Sequence, residues 1–315
     1  MSKRLPTTLL EATRYFADPD VCVEFVASLR WPEGPTCPEC DGTGYSYLTT
    51  RRLWKCKACK KQFSVKVGSI FEDSAIPLDK WLCSIWLIAN SKNGISSHEL
   101  GRSVGLTQKS AWFVLHRVRL AMQTGSFKKF EGEIEVDETF VGGKARNMHK
   151  DVRKRKITGT GGKDKTIVAG ALKRGGKVRA SVVQDRSHDT LHALVREHVA
   201  PGAVVYTDAH RGYSGLEGDY DHATVDHAEQ YVDGRVHTNG MENFWALLKR
   251  GLHGTYVSVN PEHLFRYLDE RVFTFNHRHD TDLGRFVTLL GGVAGRRLTY
   301  AELVGQDFVL DSRDS

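Results

Sequence analysis

Two cysteine pairs, Cys37-Pro-Glu-Cys40 and Cys56-Lys-Ala-Cys59, constrain this chain more than any other feature. Each CxxC makes a tight turn that aims both sulfurs at one point. Two such pairs separated by the loop Asp41–Lys55 have the spacing of tetrahedral Zn²⁺ held by four thiolates. Short strand-like pieces flank the pairs: YSYLTT, RRLWKC and KQFSVKVGS. The pattern predicts a zinc ribbon over 31–72, with structural zinc on Cys37, Cys40, Cys56 and Cys59. A redox CxxC would sit at the strand-to-helix junction of a βαβ unit, and none is legible here. Cys22 and Cys83 lie in apolar surroundings and read as buried thiols. So small a unit needs its metal to fold. It is also basic, through Arg51, Arg52, Lys55, Lys57, Lys60, Lys61 and Lys66, with Trp54 and Phe63 interleaved. That surface is expected to contact a DNA backbone.

The charge of the whole chain points the same way. Its 45 Lys and Arg against 38 Asp and Glu give a formal charge of +7 and a pI near 9.0. A polyanionic partner is favoured, and nucleic acid is the commonest. The longest apolar run, WLCSIWLIA, is half of the roughly 20 residues a membrane span requires, so no membrane is expected as a partner. The opening stretch MSKRLPTTLLEATRYF lacks the apolar core of a signal peptide. The expectation is a cytoplasmic, nucleoid-associated protein whose reducing surroundings disfavour disulfides.

An N-terminal helical segment is expected over 1–30. After the ribbon, residues 73–127 read as helical. PLDKWLCSIWLIANSKNG places Trp81, Ile85, Trp86 and Ile88 at helical spacing and ends at Gly94. A short helix capped by Ser97 follows. Gly105 makes a turn, and Thr107 caps a further helix carrying Ala111, Val114, Leu115 and Val118. This is the outline of a helix-turn-helix, whose last helix would present Gln108, Lys109, Trp112 and Arg119 to DNA. Plain packing of a helical hairpin is the competing reading.

From residue 128 to 300 the texture becomes α/β. In EIEVDETFVGG, strand alternation places Ile134, Val136 and Phe140 on one face and Glu133, Glu135 and Asp137 on the other. The loop 142–165 is glycine-rich and basic, with Arg153, Lys154, Arg155 and Lys156 as candidate DNA contacts. TIVAGALK and KVRASVVQD pair around Arg174-Gly175-Gly176. A helix follows, then AVVYTDAH, a buried strand ending in Asp208, and two further helices. Strands followed by helix, strand and helix, with acids at strand ends, outline a ribonuclease-H-like fold. On the helix HTNGMENFWALLKRGLHGTY, Glu242, Lys249 and His253 share one side. Phe244, Leu247, Leu248 and Leu252 share the other. Three carboxylates meeting at Asp137, Asp208 and Glu242 would repel one another unless cations lay between them. Two Mg²⁺ (or Mn²⁺) ions would remove that cost and support phosphoryl transfer. A non-enzymatic DNA-binding regulator and a hydrolytic nuclease that never joins ends are the rival readings. Residues 301–315 are expected to form a C-terminal tail whose end, DSRDS, reads as disordered.

The stretches CPEC…CKAC, VDETFVGGK, VVYTDAHRGY and HTNGMENFWALLKRGLHGTY followed by YLDERVFTFNHR resemble the DDE insertion-sequence transposases that begin with a zinc ribbon. The resemblance implies cleavage at the ends of a mobile element by water, then attack of the 3′-OH on target DNA. It makes Asp137 the first metal ligand and Asp208 the second. Glu242 is the choice for the third, although some relatives use Asn there and Asn239 and Asn243 lie close by. Lys249, seven residues beyond Glu242, favours Glu242 and would contact the scissile region, with Arg250 beside it. His210, His227 and His237 are expected to be structural or to touch DNA. The implied partners are terminal inverted repeats, target DNA and a second copy of the chain on DNA.

Overall fold

The computed structural model of the protein describes residues 4–123, 128–143, 149–151, 165–225 and 236–304. The chain forms two compact units, Met1–Gln123 together with His279–Ser315, and Thr124–Arg278.

In the first unit, α1 (Leu9–Tyr15) starts at a capping box made by Thr8 and Glu11, and α2 (Pro19–Arg30) starts at Asp18 with proline in its first turn. The ribbon follows as three antiparallel strands, β1 (Tyr45–Leu48), β2 (Leu53–Cys56) and β3 (Gln62–Phe63), in that order. Trp54 sits opposite Phe63 across β2 and β3, and both rings are buried, with Trp31 packed edge-on to each at 5.3 and 5.9 Å. The aromatics that interleave with the lysines are therefore the ribbon's own core. Lys66 is likewise structural: its Nζ donates to the carbonyls of Ser74 (2.9 Å) and Ile76 (2.7 Å).

Three helices follow: α3 (Leu78–Asn90), α4 (Ser97–Val104) and α5 (Gln108–Ala121). α3 stops at Asn90, and Gly94 serves the turn beyond it at φ +83°. Ser96, one residue before the expected Ser97, caps α4 by accepting from the Glu99 N–H. Gly105 ends α4 in the left-handed region and Thr107 caps α5, as expected. Arg119 is 1% exposed, so α5 does not present it. Position 119 falls on the face that carries Ala111, Leu115 and Val118 into the interior.

The sequence reading carried the α/β domain to residue 300. The chain instead leaves it at Arg278 and returns to the first unit. There α9 (Asp282–Gly291) inserts Phe286 against Phe16, Phe25 and Trp86, with Phe25 stacked on it at 6.1 Å. Arg117 then fastens the returning strand of chain by donating to the carbonyls of Leu298, Ile70 and Glu72. The short α10 (Tyr300–Val304) follows. The Phe286 anchor lies 200 to 270 residues from the aromatic rings it packs against, so no local periodicity reveals it.

The second unit is a five-stranded sheet in the order β6-β5-β4-β7-β8, formed by β4 (Glu133–Val141), β5 (Thr166–Lys173), β6 (Val178–Val183), β7 (Val204–Asp208) and β8 (Asp221–Val225). β4, β5 and β6 are antiparallel, and β7 and β8 continue parallel to β4. This is the ribonuclease-H-like arrangement. One face packs α6 (His188–His198) in a core with Ile134, Val136, Leu191, Val195 and Tyr213. The other packs α7 (Asn239–Gly251) and α8 (Leu264–Asn276) through Val168, Leu172, Met241, Trp245 and Leu268. Gly170 permits that approach: a Cβ there would meet Met241 Cε at 3.1 Å and the Arg179 carbonyl at 2.7 Å. Among the described residues, no helix is long and apolar enough to cross a membrane.

Candidate functional site

The central strand β4 assembles the site by alternation. Its outward side chains toward α7 are Glu135, Asp137 and Thr139, and each meets the helix at a different turn. Glu135 Oε2 accepts from the Met241 N–H at 3.0 Å, Asp137 Oδ2 from Trp245 Nε1 at 2.9 Å, and Thr139 Oγ1 from Lys249 Nζ at 2.6 Å. Two residues along a strand advance about 6.7 Å, and four along a helix about 6 Å. The helix therefore runs parallel to the strand with contacts in step at 135/241, 137/245 and 139/249.

β7 brings in the second acid. Its register with β4 sets Glu133 beside Val204 and Glu135 beside Tyr206. Beyond that last pair, alternation puts Asp208 on the same face as Tyr206, and its charge reaches Asp137. Burial pushes the Asp137 carboxyl up to about 7, with the negative charges of Glu138 and Asp208 adding to the effect and the Trp245 indole opposing it. The Lys249 ammonium is held below its ordinary value by burial and by Lys165, while Asp137 acts the other way. Asp208 Oδ1 also accepts from the His210 N–H at 3.0 Å, and His210 Nδ1 accepts from the Gly212 N–H, so His210 shapes the turn after β7.

Glu242 sits in the first turn of α7 and is exposed. Among the described residues, the four cysteines are the group of three or more ligating side chains whose donor atoms lie within 4.8 Å of one another. Asp137, Asp208 and Glu242 are spread more widely than that. The helix face laid on β4 is Met241, Trp245 and Lys249, and Glu242 falls on its flank. Leu247, expected on the buried side, is 37% exposed, because the buried stripe is Met241, Phe244, Trp245, Leu248 and Leu252.

Two other acids of β4 are fully engaged, and the sequence reading missed both roles. Glu135 is 1% exposed, its Oε1 accepting from Arg174 Nε at 3.0 Å. Arg174 also donates to the His237 carbonyl at 2.8 Å and lies over the Tyr206 ring. Glu138, on the opposite face, accepts from Arg186 at 3.1 Å and from the Tyr213 hydroxyl at 2.7 Å. Trp245 also went unrecognised as a donor to Asp137. The available signal was the four-residue spacing of Met241, Trp245 and Lys249, matched to the alternate residues of β4.

In the first unit the four cysteines converge as expected. The Cys37 and Cys59 sulfurs are 3.6 Å apart, and those of Cys40 and Cys56 are 3.7 Å apart. Four sulfurs about 2.3 Å from a tetrahedral zinc lie about 3.8 Å from one another. The donor set and its dimensions thus fit Zn²⁺, and none of these thiols is in a disulfide. Around it, Arg51 and Lys55 are exposed, whereas Arg52 is paired with Asp20 at 2.6 Å. On α5, Gln108 and Lys109 are exposed, with Gln108 bonded to Ser97 and Lys109 over the Tyr300 ring. Arg250 is exposed on α7. Arg153, Lys154, Arg155, Lys156 and His227 lie outside the described residues.

A zinc-ribbon unit joined to a ribonuclease-H-like domain with paired strand acids defines the class of DDE recombination proteins. Residues 129–276 match the ISXO2-like transposase domain, and residues 18–62 match the transposase zinc-ribbon domain. The chain thus carries an ISXO2-like transposase domain preceded by a transposase zinc ribbon. It is similar to an uncharacterized protein in the transposable element ISH50 of Halobacterium salinarum, 27% identical over 240 residues, covering 72% of this chain and 81% of that one. A shorter likeness, 35% over 77 residues, joins it to an uncharacterized transposase-like protein of Haemophilus influenzae, covering 24% of this chain and 63% of that one.

Proposed function

We propose that the protein binds the terminal repeats of its own insertion sequence, cleaves the DNA strands there, and joins the freed 3′ ends to target DNA. The charge of Asp208 acting on the buried Asp137 carboxyl, with Lys249 reaching the same strand from α7, is the observation that supports this reading. Two adjacent carboxylates on one sheet face are a donor set suited to Mg²⁺ or Mn²⁺. Asp137 and Asp208 would hold the metal, and Glu242 would complete the set from the flank of α7. Divalent metal bound there supplies an activated oxygen nucleophile and charge stabilisation for the departing one. Lys249, anchored on Thr139, orients a phosphate against the acids.

DNA recognition is assigned to the exposed face of the first unit. Arg51 and Lys55 on the ribbon, and Gln108 and Lys109 at the start of α5, are the contacts, with α4 and α5 acting as the helix-turn-helix. Arg153, Lys154, Arg155, Lys156 and Arg250 are further candidate contacts to the DNA backbone. Two element ends act together, so the working form is a homo-oligomer on DNA, associated with the nucleoid. The ISH50 relative supports the assignment to a mobile element. The test is strand transfer with pre-cleaved element ends and Mg²⁺. Joining by the intact protein, lost in Asp137→Asn, Asp208→Asn and Glu242→Gln, is the expected result. Cleavage without joining would favour a hydrolytic nuclease, and full activity of any one variant would remove that residue from the site.

A further inference from the structure

Asp137 stands between two glutamates that point to opposite sides of β4, and each has both carboxylate oxygens engaged by other groups. Both Glu135 oxygens are occupied, Oε1 by Arg174 and Oε2 by the Met241 N–H, and the side chain is closed to solvent. Both Glu138 oxygens are occupied as well, by Arg186 and Tyr213. Burying a carboxylate is costly unless it is paired and hydrogen-bonded, and here the pairing is complete. The question is what two such costly groups accomplish on either side of one half-buried aspartate.

Their partners answer it. Thr238, the residue at the N-cap position of α7, makes no side-chain capping bond. The cap comes instead from Glu135, whose carboxylate meets an otherwise unpaired N–H of the first turn and the positive end of the helix dipole. Gly240 confirms how close this contact is: a Cβ there would lie 2.7 Å from Glu135 Oε2. Arg174 ties the same carboxylate to the His237 carbonyl just ahead of the helix. Glu138 performs the equivalent task for the other acid. Tyr213 ends the short helical turn Arg211–Tyr213, whose start is fixed to Asp208 through the His210 N–H.

We propose that Glu135 and Glu138 are positioning residues that lock the two elements carrying Glu242 and Asp208 onto the strand that carries Asp137. Glu135 fixes the start of α7, and with it Glu242. Glu138 fixes the turn after β7, and with it Asp208. One strand thereby sets the mutual placement of three acids that lie far apart along the chain. This inference rests on the assignment of Asp137, Asp208 and Glu242 to the metal-binding site.

The experiment uses the full chain with Glu135→Gln, Glu138→Gln, Gly240→Ala and Asp137→Asn. In metal-free protein, amide hydrogen exchange is followed at 239–243 and at 208–213. Glu135→Gln speeds exchange at 239–243 alone, and Glu138→Gln speeds it at 208–213 alone. Gly240→Ala, which disturbs the first contact without removing a buried charge, reproduces the Glu135→Gln pattern if that variant fails to fold. With Mg²⁺, both Gln variants lower strand-transfer turnover about 10- to 100-fold, as loss of an outer partner of a metal ligand does, and raise the half-saturating Mg²⁺, while affinity for end DNA is unchanged. Wild-type exchange at both segments, or wild-type turnover and Mg²⁺ dependence with Asp137→Asn inactive, overturns the bracing role alone. An active Asp137→Asn overturns the site assignment and the bracing role with it.

Discussion

The indole N–H of Trp245 donates to Asp137 Oδ2 at 2.9 Å, joining the middle of α7 to the middle of β4 across 108 residues of chain. This bond favours the ionised carboxylate and opposes the burial that pushes Asp137 up to about 7. Trp245→Phe removes the donor and keeps most of the packing. The pH–rate profile of strand transfer is expected to move its acid limb upward, so that activity lost at pH 7 largely returns at higher pH. An unmoved limb would mean that Trp245 serves only the core.

Without divalent metal, Asp137 makes the fold pH-sensitive in an unusual direction. Its folded value, about 7, exceeds the ordinary value of 3.8. Between those values the native state holds a proton that the unfolded chain has released, so stability falls as pH rises through this window. The loss is at most about 4 kcal/mol, from 1.36 kcal/mol per pH unit. Asp137→Asn flattens this dependence, and Mg²⁺ raises Tm more at pH 8 than at pH 6. Thermal melts across that range, with and without Mg²⁺, check both points.

Zinc removal is expected to act on one unit. The four cysteine sulfurs surround a point rather than a packed core, and Cys40 and Cys59 are exposed. A strong chelator, or Cys40→Ser, should release zinc and unfold β1–β3 with loss of the buried Trp31–Trp54–Phe63 environment. The five-stranded sheet should persist. Zinc release measured with a colorimetric chelator, alongside hydrogen exchange of both units, tests this. Simultaneous collapse of both would contradict it.

Lys55 and Arg119 should separate DNA contact from packing. Lys55→Ala is expected to reduce the salt slope of DNA binding by about one unit, as loss of one phosphate contact does. Arg119→Ala is expected to lower Tm and leave that slope alone, because Arg119 is buried. Affinity measured across a salt series decides between them.

Val257 follows the helical segment Leu252–Tyr256 with φ +62° and ψ −52°, and the Ser258 N–H bonds to the Tyr256 carbonyl across it. That is a γ-turn of the strained hand, at a β-branched residue 77% exposed. Tyr256 holds it there by donating to the buried Glu270. Val257→Gly should raise stability by about 1 kcal/mol, since glycine adopts this backbone without strain and little burial is lost. A lower Tm would show that the turn is not strained.

The sequence by itself determined the features that depend on neighbours in the chain. CxxC spacing fixes where sulfurs can meet. Alternation along 133–141 separates Asp137 from Ile134 and Val136. A cap such as Thr107, and the glycine at 105, set helix ends through bonds made within a few residues. Asp137 and Asp208 stand out in the sequence because each ends or punctuates an apolar strand.

Only the tertiary structure decided which partners each acid of β4 has. Glu135 and Asp137 look equivalent in the strand. One is paired with Arg174 and a helix N-terminus, and the other accepts from neutral donors, the Trp245 indole and the Glu138 backbone. The return of Phe286 to the first unit and the burial of Arg119 were hidden for the same reason. A side chain's role follows from its partners, and these partners are brought together by packing across a sheet or between helices, where sequence separation carries no information about distance.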